Sequence, residues 1–442
     1  MTKTQTISRR PTFAEARKLL AKFGSPLFVT YKDTIQENVD LYYKYFSSFS
    51  GGFTLAYSVK TNNNPLLLEI FRQRNVMAEV CSQSDIRAAK MAGYRGPEMV
   101  FDGLIKTDAD LLGAIKDGVS IINLESMGEA VRLARLASRE KKIVEVGIRL
   151  SFPSSRVGLK SLLGISYDRF GVDRASGQAA QLAEFVLCQK YLRLVGLHCH
   201  TGSNQKSSSH YLTGINEITS FMKYLKNRHN CEIKILNLGG GFGVPEITAY
   251  KIADLATLAI RRLLRKPTDF SHRPFNFRKM ASDIVFHLER KLDEYRLPYP
   301  RLMLEPGRSL VGNTTHLLTT ILEVKQTPKN NWLIIDAGTN LMPVLTFYSE
   351  HHDILVETRS KIKQITSIAG PLLYSSDSLV SGRVLPEGKT SDAVIICDTG
   401  AYFACQANQF LYPRAASVLI DGKNSRVIER RETTSDLFAR IV

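Results

Sequence analysis

The sequence predicts a (β/α)8 barrel joined to a smaller, mostly β domain. Eight short, strand-like runs alternate with amphipathic helical patterns between residues 53 and 305, and from about residue 314 the pattern changes to strands and turns. A chain of 442 residues can bury one large core and a smaller one. Eight strands separated by helices is the number that a barrel of this class requires. A doubly wound open sheet is the structural alternative, because periodicity alone cannot show that a sheet closes.

The predicted barrel strands are short, apolar and rich in β-branched residues. In chain order they are residues 53–59, 76–80, 98–102, 119–124, 144–150, 194–200, 233–238 and 301–305. The clearest helical patterns between them lie at residues 65–74, 84–93, 126–138 and 212–227. These elements predict a barrel domain over residues 34–313.

The remaining parts of the chain predict a compact β-domain. Its strand-like runs are residues 317–326, 331–338, 392–402 and 415–420, and turn-rich segments with little helical periodicity separate them. The segment before the barrel ends in a further strand, PLFVTY at residues 26–31. We therefore expect residues 1–33 and 314–442 to form one domain that completes the active site.

Composition excludes several classes of protein. No apolar run approaches the length of a membrane span, and the polar N-terminus MTKTQTISRR lacks the apolar core of a secretory signal. The six cysteines form no CxxC pair, which is typical of reduced thiols rather than of disulfides or zinc ligands. These observations predict a cytoplasmic protein that does not enter membranes.

The net charge of +17 favours anionic ligands. The densest basic stretch, residues 261–279, is interpreted as a solvated helix face followed by a loop. Because no nucleic-acid-binding motif accompanies it, we do not expect a nucleic-acid partner.

Two glycine-containing motifs at strand ends predict a phosphate site. The run LGGGFG at residues 238–243 removes side chains from a turn after the seventh barrel strand, so that backbone N–H groups can approach an anion. EPGR at residues 305–308 places a guanidinium after the eighth strand. Barrels most often hold phosphate on the loops after these two strands.

Lys60 and Glu305 are the candidates for cofactor chemistry. Lys60 ends the first apolar strand, and a lysine at a barrel mouth can be desolvated enough to form an imine. Glu305 would keep a cofactor ring nitrogen protonated, so that the ring accepts electrons from a carbanion. The alternative is that Glu305 forms a salt bridge with Arg308.

His198 and His200 lie two residues apart on a strand and are therefore expected to point to one face. Such a pair can bind metal, but that function needs further ligands at later strand ends, where this chain has glycines and EPGR. We prefer stacking of His200 on a flat cofactor ring, with Ser203 available to bond phosphate, and predict no metal.

Six motifs together resemble the fold-type III pyridoxal-phosphate decarboxylases. They are YSVKTN, LHCHTGS, LGGGFG, LEPGRSLVG, DAGTNLMP and DTGAY, in that order and spacing. Diaminopimelate decarboxylase is the most similar pattern and ornithine decarboxylase a more distant one. The resemblance covers nearly the whole chain and implies pyridoxal phosphate as cofactor, an amino-acid-type substrate and a head-to-tail homodimer with shared active sites.

The resemblance also implies roles for individual residues. Lys60 would hold the cofactor, His200 would stack on its ring, and Glu305 would pair with its pyridine nitrogen. The other cofactor-binding residues that it implies are Glu79, Arg149, Ser203, Gly239, Gly240, Gly241, Gly307, Arg308 and Tyr402. The implied substrate-binding residues are Arg308, Met342, Thr346, Tyr374 and Phe410, with Tyr374 also a candidate catalytic group.

The chain departs from the family pattern at substrate-binding positions. The usual GPxC followed by an acidic residue reads GPLLYSSD here, so Leu373 replaces the cysteine and Tyr374 the acid. Met342 stands where diaminopimelate decarboxylases have an arginine, and Thr346 stands at a nearby tyrosine position. Asp85 stands where a glutamate is usual. Tyr374 or a water would then supply the proton at Cα that the family cysteine delivers.

These departures leave three hypotheses of different classes. The leading one is decarboxylation of an amino acid or an amino-acid conjugate, such as a citryl-diamino acid of a siderophore pathway, with meso-diaminopimelate decarboxylation in lysine biosynthesis as its alternative. A second is a cofactor-binding but inactive regulator, which Leu373 favours and the intact Lys60 opposes. A third is a racemase of the same fold, which Glu305 disfavours.

Overall fold

The computed structural model describes residues 9–151, 169–328 and 330–441, with the side chain of Thr346 left out. These residues form two compact units. The described part of the first comprises residues 38–151, 169–243 and 276–307, and that of the second comprises residues 9–37, 244–275, 308–328 and 330–441. Residues 244–275, which the sequence prediction placed in the barrel, therefore belong to the second unit.

The first unit is built on a closed barrel of eight parallel strands, which confirms the predicted fold class. Leu302 pairs with Phe53 on one side and with Leu236 on the other, and this double pairing closes the barrel. Numbered along the whole chain, the barrel strands are β2 (Phe53–Ser58), β3 (Met77–Val80), β4 (Met99–Phe101), β5 (Ile121–Leu124), β6 (Val144–Arg149), β7 (Leu192–His198), β8 (Ile235–Asn237) and β10 (Arg301–Leu304).

Side chains from four of the strands fill the middle of the barrel. Val100, Ile121, Val195 and Met303 form one buried cluster. Branched and long apolar residues packed in layers are what a barrel of eight strands needs in order to have no pore. The open-sheet alternative is therefore wrong for this chain.

Helices connect the barrel strands near the predicted positions. Asn64 illustrates how they begin, because its side chain accepts the N–H of Leu66 at 3.0 Å and Pro65 follows at the first helical position. The helices are α2 (Lys32–Phe46), α3 (Pro65–Gln73), α4 (Gln83–Met91), α5 (Asp108–Asp117), α6 (Met127–Glu140), α7 (Gln178–Leu187), α8 (Ser209–His229) and α10 (Phe277–Glu294).

The second unit contains a nine-stranded sheet, as its strand-rich sequence predicted. The N-terminal strand β1 joins it, pairing antiparallel with β11 and parallel with β18. The strands are β1 (Leu27–Tyr31), β11 (Thr315–Thr327), β12 (Asn330–Ile335), β14 (Ile354–Val356), β15 (Lys363–Ala369), β16 (Ser378–Pro386), β17 (Ala393–Ile396), β18 (Ala416–Asp421) and β19 (Asn424–Glu429). A separate pair joins β9 (Thr248–Ala249) to β13 (Glu350–His351).

Both faces of this sheet are buried. Leu317 and Ile396 pack in one apolar cluster, whereas their chain neighbours Leu318 and Ile395 pack in another. Successive side chains of a strand point to opposite faces, so the two clusters lie on the two sides of the sheet. The helices of this unit are α1 (Phe13–Phe23), α9 (Ile252–Leu263), α11 (Arg308–Val311), α12 (Pro343–Phe347) and α13 (Thr434–Phe438).

The basic segment 261–279 begins in α9, none of whose residues is buried, and continues as a loop until Phe277. This agrees with its interpretation as a solvated helix face followed by a loop. Among the residues that the structure describes, no helix combines the length and the apolar character needed to cross a bilayer.

Candidate active site

Lys60 is presented at the carboxyl end of the barrel. It lies in a short 3-10 turn, Val59–Thr61, directly after β2, and the residues on either side of it are buried. About half of its own side chain is exposed, at 51%. Its Nζ lies 3.4 Å from Sγ of Cys81 and 3.6 Å from Oε1 of Glu79. The turn therefore places an amine beside a thiol and a carboxylate.

Glu79 is buried at the end of β3 with one oxygen unsatisfied. Its Oε1 accepts a hydrogen bond from Cys81 Sγ at 2.7 Å, whereas its Oε2 has no hydrogen-bond partner among the described residues. An unpaired carboxylate oxygen is costly in a protein interior and marks a place where a bound group can supply the missing partner. Glu79 is thus consistent with its predicted place in a ligand site.

The glycine run after β8 forms a turn that no side chain could enter. Gly239 and Gly241 have φ angles of +65° and +89°. A Cβ would lie 2.7 Å from the carbonyl oxygen of Cys199 at the first position, 2.3 Å from that of Glu305 at Gly240, and 2.0 Å from that of Gly202 at the third. The turn therefore keeps its backbone bare, as an anion-binding loop requires.

His200 lies against this turn. The N–H of Gly240 points to its Nδ1 at 3.4 Å. Burial, together with the charge of Lys60, lowers the pKa of His200 to about 3, so the ring is neutral at physiological pH. A neutral, flat imidazole beside Lys60 fits the predicted stacking role.

Ser203 is exposed on the loop that follows His200. That loop is fixed to the glycine turn, because the N–H of Gln205 donates to the carbonyl of Gly241 at 2.8 Å. The hydroxyl therefore belongs to a loop that is held against the predicted phosphate site.

Lys60 and the glycine turn lie at the same end of the barrel, as the prediction of one bridging cofactor requires. The N–H of Glu305 donates to the carbonyl of Gly239 at 2.8 Å, and the N–H of Ser58 faces the carbonyl of Pro306 at 3.3 Å. A Cβ at Gly307 would lie 1.9 Å from Oγ1 of Thr61. The loop after β10 therefore contacts both the loop after β8 and the turn after β2.

Glu305 is the centre of a buried polar network. Asn237 Nδ2 donates to Glu305 Oε1 at 2.5 Å, and Asn237 Oδ1 accepts the N–H of Gly239 at 2.8 Å. His198 lies between two acids, with Nε2 3.5 Å from Glu305 Oε2 and Nδ1 3.6 Å from Asp102 Oδ2. One amide side chain thus connects the acid to the glycine turn.

The charges in this network are unevenly distributed. Burial and the carboxylates of Asp102 and Glu79 raise the pKa of Glu305 well above its ordinary value. Burial opposes ionisation of Asp102, but its neighbours His198 and Arg149 lower its pKa to about 2. Burial lowers the pKa of His198 to about 4. Glu305 is therefore the acid that holds a proton when the site contains only protein groups.

The donor atoms of Asp102, His198 and Glu305 lie within 4.8 Å of one another, so the described residues include a set that a metal could use. The positive charges of Arg149 and Lys60 both lower the pKa of His198 and would oppose a cation at the same place. The proton on Glu305 acts in the same direction. We therefore keep the cofactor interpretation of this cluster.

Arg149, the last residue of β6, is held by an acid that sequence reasoning missed. Its Nη1 donates to Glu125 Oε1 at 2.5 Å, and its guanidinium carbon lies 4.9 Å from the centre of the Phe170 ring. Glu125 Oε2 accepts the N–H of Gly171 at 2.6 Å. The arginine charge that lowers the pKa values of His198 and His200 is thus fixed in position.

The predicted residues of the second unit have well-defined partners there. Arg308 is buried, and its Nη1 lies 2.8 Å from Oε1 of Glu350. Its guanidinium carbon is 5.1 Å from the centre of the Tyr402 ring. The salt bridge of Arg308 is thus with Glu350, and the alternative pairing with Glu305 is wrong.

Of the predicted substrate-binding residues, Met342 is a core residue. It is fully buried among apolar side chains before α12, so it offers no exposed surface to a substrate. Thr346 lies in α12, and its side chain is outside the described residues. Tyr374 bonds Thr339 Oγ1 through its hydroxyl, and its ring meets that of Phe410 edge to face with centroids 5.5 Å apart.

The residues of the first unit fit a flat aromatic aldehyde that carries a phosphate. They supply a half-exposed amine, Lys60, and a turn, Gly239–Gly241, from which every Cβ is excluded. They also supply a buried acid that holds a proton, Glu305, and an unsatisfied oxygen on Glu79. These are the groups that pyridoxal phosphate needs for covalent attachment, phosphate binding and control of its ring nitrogen.

Sequence reasoning missed Asp102, Cys81, Glu125 and Asn237. Asp102 and Asn237 had a signal, because each is a polar residue inside or directly after an otherwise apolar strand run. Cys81 had only its position two residues after Glu79. Glu125 had the same signal, since it directly follows the strand run 119–124, but its partner Arg149 lies 24 residues away.

Comparison with known proteins gives one family. Residues 32–312 match the family model of the pyridoxal-binding domain of pyridoxal-dependent decarboxylases. A diaminopimelate decarboxylase of Methanocaldococcus jannaschii is 29% identical over 432 residues, which cover 96% of this chain and 93% of the relative. One of Aquifex aeolicus is 28% identical over 421 residues, which cover 94% of this chain and 91% of the relative.

Solved structures with a similar fold include other decarboxylases. The crystal structure of diaminopimelate decarboxylase from M. jannaschii in complex with L-lysine is similar with a TM-score of 0.85 at 29% identity, covering 97% of this chain and 94% of that one. The lysine decarboxylase of Selenomonas ruminantium shares the fold, with a TM-score of 0.79 at 18% identity over 95% of this chain and 98% of that one.

Proposed function

The chain belongs to the pyridoxal-dependent decarboxylases, and from that premise we propose that its substrate is meso-diaminopimelate. The family membership makes it a pyridoxal-phosphate enzyme that releases CO2 from an amino acid. The observation that carries the proposal is that Lys60, His200, Glu305 and the glycine turn converge at one end of the barrel, in a chain that resembles diaminopimelate decarboxylases over 96% of its length.

The cofactor would be held by residues of the first unit. Lys60 Nζ would bond its aldehyde carbon, and the turn at Gly239–Gly241, whose backbone carries no side chains, would leave room for its phosphate. Arg308 and Tyr402 belong to the second unit, and the phosphate-binding role that the resemblance implies for them stays a prediction. When bound, pyridoxal phosphate supplies an aldehyde that captures amines and a ring that accepts the electron pair left on Cα when CO2 departs.

Protein groups control the proton at the ring nitrogen. Glu305 holds a proton in the cofactor-free site because burial and the nearby carboxylates raise its pKa. A ring nitrogen would share that proton, and Asn237 Nδ2 would keep the carboxyl group oriented toward it. His200 stays neutral, so it can cover a ring face without opposing that positive charge.

The relatives support diaminopimelate as the first candidate, since those of M. jannaschii and Aquifex aeolicus are named for that reaction. A bulkier, carboxylate-rich amino-acid conjugate, such as a citryl-diamino acid, is the second candidate. It is retained because the buried Met342 stands where an arginine would grip the distal carboxylate of diaminopimelate, so this chain lacks that contact for the first candidate.

A CO2-release assay with purified protein and pyridoxal phosphate tests the proposal. The panel contains meso-diaminopimelate, lysine, ornithine, arginine and citrate-conjugated diamino acids. We expect the highest kcat/KM with meso-diaminopimelate. A higher value with a conjugate would replace it by the second candidate, and no CO2 from any of them would favour the inactive-regulator hypothesis.

We also propose a homodimer. The second unit exposes large apolar side chains in two loops, with Leu373 92% and Phe410 50% exposed. Exposed apolar side chains grouped in this way are typical of an interface. Light scattering after gel filtration should give the mass of two chains, and Leu373→Asp should weaken that dimer. A monomer at micromolar concentration would contradict the proposal.

A cytoplasmic location is kept as a proposal. No disulfide joins any of the six cysteines, all of which lie in the described residues, and a reducing compartment preserves thiols. Cell fractionation should recover the protein with cytoplasmic markers.

A further inference from the structure

We propose that Cys81 donates the proton that replaces the carboxylate on Cα. The proposal rests on decarboxylation, which the family shares, and does not depend on which amino acid is the substrate. When the bond from Cα to the carboxylate breaks, CO2 leaves the electron pair behind, and the amine product forms only when a proton reaches Cα. Leu373 cannot supply it, because its side chain carries no acidic proton.

The position of Cys81 matches what such a donor needs. The substrate amine takes the place of Lys60 Nζ on the cofactor, so Cα is one bond from that place. Cys81 Sγ lies 3.4 Å from Lys60 Nζ, within the range of a sulfur hydrogen bond. A thiol at this distance can reach the reacting carbon after a small rotation about its side-chain bond.

The backbone around Cys81 keeps its side chain in this position. Its N–H donates to Asp85 Oδ2 at 3.0 Å. Asp85 is fixed in turn because its own N–H donates to Ser82 Oγ at 3.2 Å, which caps α4. Asp85 is shorter than the glutamate usual at this position, and here its carboxylate serves to orient the thiol-bearing residue.

The neighbours of Cys81 keep it protonated. Burial first, and then the carboxylate of Glu79, raise the pKa of the thiol well above its usual range. Sγ donates to Glu79 Oε1 at 2.7 Å, so the proton stays on sulfur at neutral pH. Tyr374, the donor that the sequence suggested, instead uses its hydroxyl in a bond with Thr339.

The step balances without any further reactant. The S–H bond of Cys81 breaks, its proton joins the electron pair on Cα, and a new C–H bond forms. The thiolate then takes a proton from water, since the side chain is only partly buried. Nothing is oxidised or reduced at the protein.

Alkylation of the unmodified chain tests whether the thiol faces the bound cofactor. Iodoacetamide is added to the cofactor-free and the loaded protein, and peptide mass spectrometry follows each cysteine. We expect loading to slow modification of Cys81 at least tenfold and to leave the exposed Cys188 unchanged. Equal rates at Cys81 in both forms would overturn the proposal.

The fate of the electron pair gives a second readout. If Cα is not protonated, a proton can add to the cofactor carbon instead, and hydrolysis then gives an aldehyde and pyridoxamine phosphate. With an amino acid that releases CO2, we expect Cys81→Ala to lower kcat about a hundredfold and to raise the pyridoxamine phosphate formed per CO2 at least tenfold.

Two matched variants complete the design. Cys81→Ser should restore part of the amine yield, because a hydroxyl is a weaker proton donor of similar size, and Cys188→Ala should leave both readouts unchanged. An unaltered ratio of pyridoxamine phosphate to CO2 in Cys81→Ala would assign the proton to another group, with Lys60 the nearest alternative, and would overturn the proposal. Slow turnover of meso-diaminopimelate alone would count only against the substrate assignment.

Discussion

Two lysines at the same end of the barrel are held in opposite ways. Lys106, in the loop after β4, is fully buried, and its ammonium donates to Glu129 Oε1 at 2.7 Å, the carbonyl of Asn123 at 2.8 Å and that of Gly103 at 3.0 Å. Lys60, in the turn after β2, is half exposed, and its Nζ lies 3.4 Å from Cys81 Sγ and 3.6 Å from Glu79 Oε1.

The difference separates a structural amine from a reactive one. An ammonium has three donors, and Lys106 uses all of them in short bonds, which fixes its charge and blocks access to its nitrogen. Lys60 can be reached by a carbonyl compound, because about half of its side chain is exposed. Position at a strand end is therefore not sufficient for chemistry, and the exposure of the amine separates the two lysines.

Removing the reactive amine should have the largest effect. Lys60→Ala should lower CO2 release by roughly three orders of magnitude or more, because the group that forms the covalent bond is lost. The near-visible absorbance of the lysine-bound cofactor should disappear with it. Retention of that band would place the attachment on another lysine and remove the basis of the comparison.

Removing the structural amine should instead affect folding. Lys106→Met leaves Glu129 buried without its cation, which should lower the free energy of unfolding by about 3–5 kcal/mol. The cofactor absorbance should remain in the folded fraction. The double change Lys106→Met with Glu129→Leu should recover part of the loss in urea unfolding; a single variant as stable as the parent would show that the pair contributes little.

Glu305, in the candidate active site, and Glu129, the partner of Lys106, should differ in the same way. Glu305→Gln keeps the size of the side chain but cannot share a proton with a ring nitrogen, so kcat should fall about a hundredfold while the cofactor remains bound. Glu129→Gln should lower stability and leave kcat within a few-fold. Similar kcat values for Glu305→Gln and the parent would contradict the role of Glu305.

Lowering the pH should destabilise the folded chain through two histidines of the candidate active site. Folding lowers the pKa of His198 to about 4 and that of His200 to about 3, so below about pH 6.5 the unfolded chain binds protons that the folded chain does not. Above that pH the two histidines leave the free energy of unfolding unchanged. As the pH falls toward those values, the free energy of unfolding decreases. In the cofactor-free protein, each histidine should cost about 1.4 kcal/mol between pH 7.5 and 5.5.

Urea unfolding at the two pH values measures this smallest effect. His200→Asn should remove about 1.4 kcal/mol of the pH dependence, whereas Cys188→Ala, at an exposed position, should keep the full dependence. An unchanged pH dependence in His200→Asn would mean that His200 titrates normally in the folded chain.

Much of the architecture could be predicted from the sequence, for physical reasons. The eight barrel strands are short apolar runs between helical patterns, and all eight pair as expected. Lys60, His200, Gly239 and Glu305 meet because the carboxyl ends of parallel strands share one end of a barrel. The strand PLFVTY joins the β-domain because its alternate residues serve both faces of that sheet.

The polar contacts could not be predicted, because they depend on distances between residues far apart in the chain. Asn237 meets Glu305 across 68 positions, and Arg308 meets Glu350 across 42. The burial of Met342 could not be predicted either, since a methionine beside a proline can lie in the core or on the surface. Pairings of this kind appear only once the backbone brings the two side chains together.

The two bonds of Asn237 have a consequence for how this protein can evolve. Because one amide serves an acid with its nitrogen and a main-chain N–H with its oxygen, aspartate would lose the first contact and leucine both. A mutation of this one residue would therefore change both the anion-binding turn and the acid that controls the ring nitrogen of the cofactor. Lineages that change what they decarboxylate should vary elsewhere and inherit this asparagine unaltered.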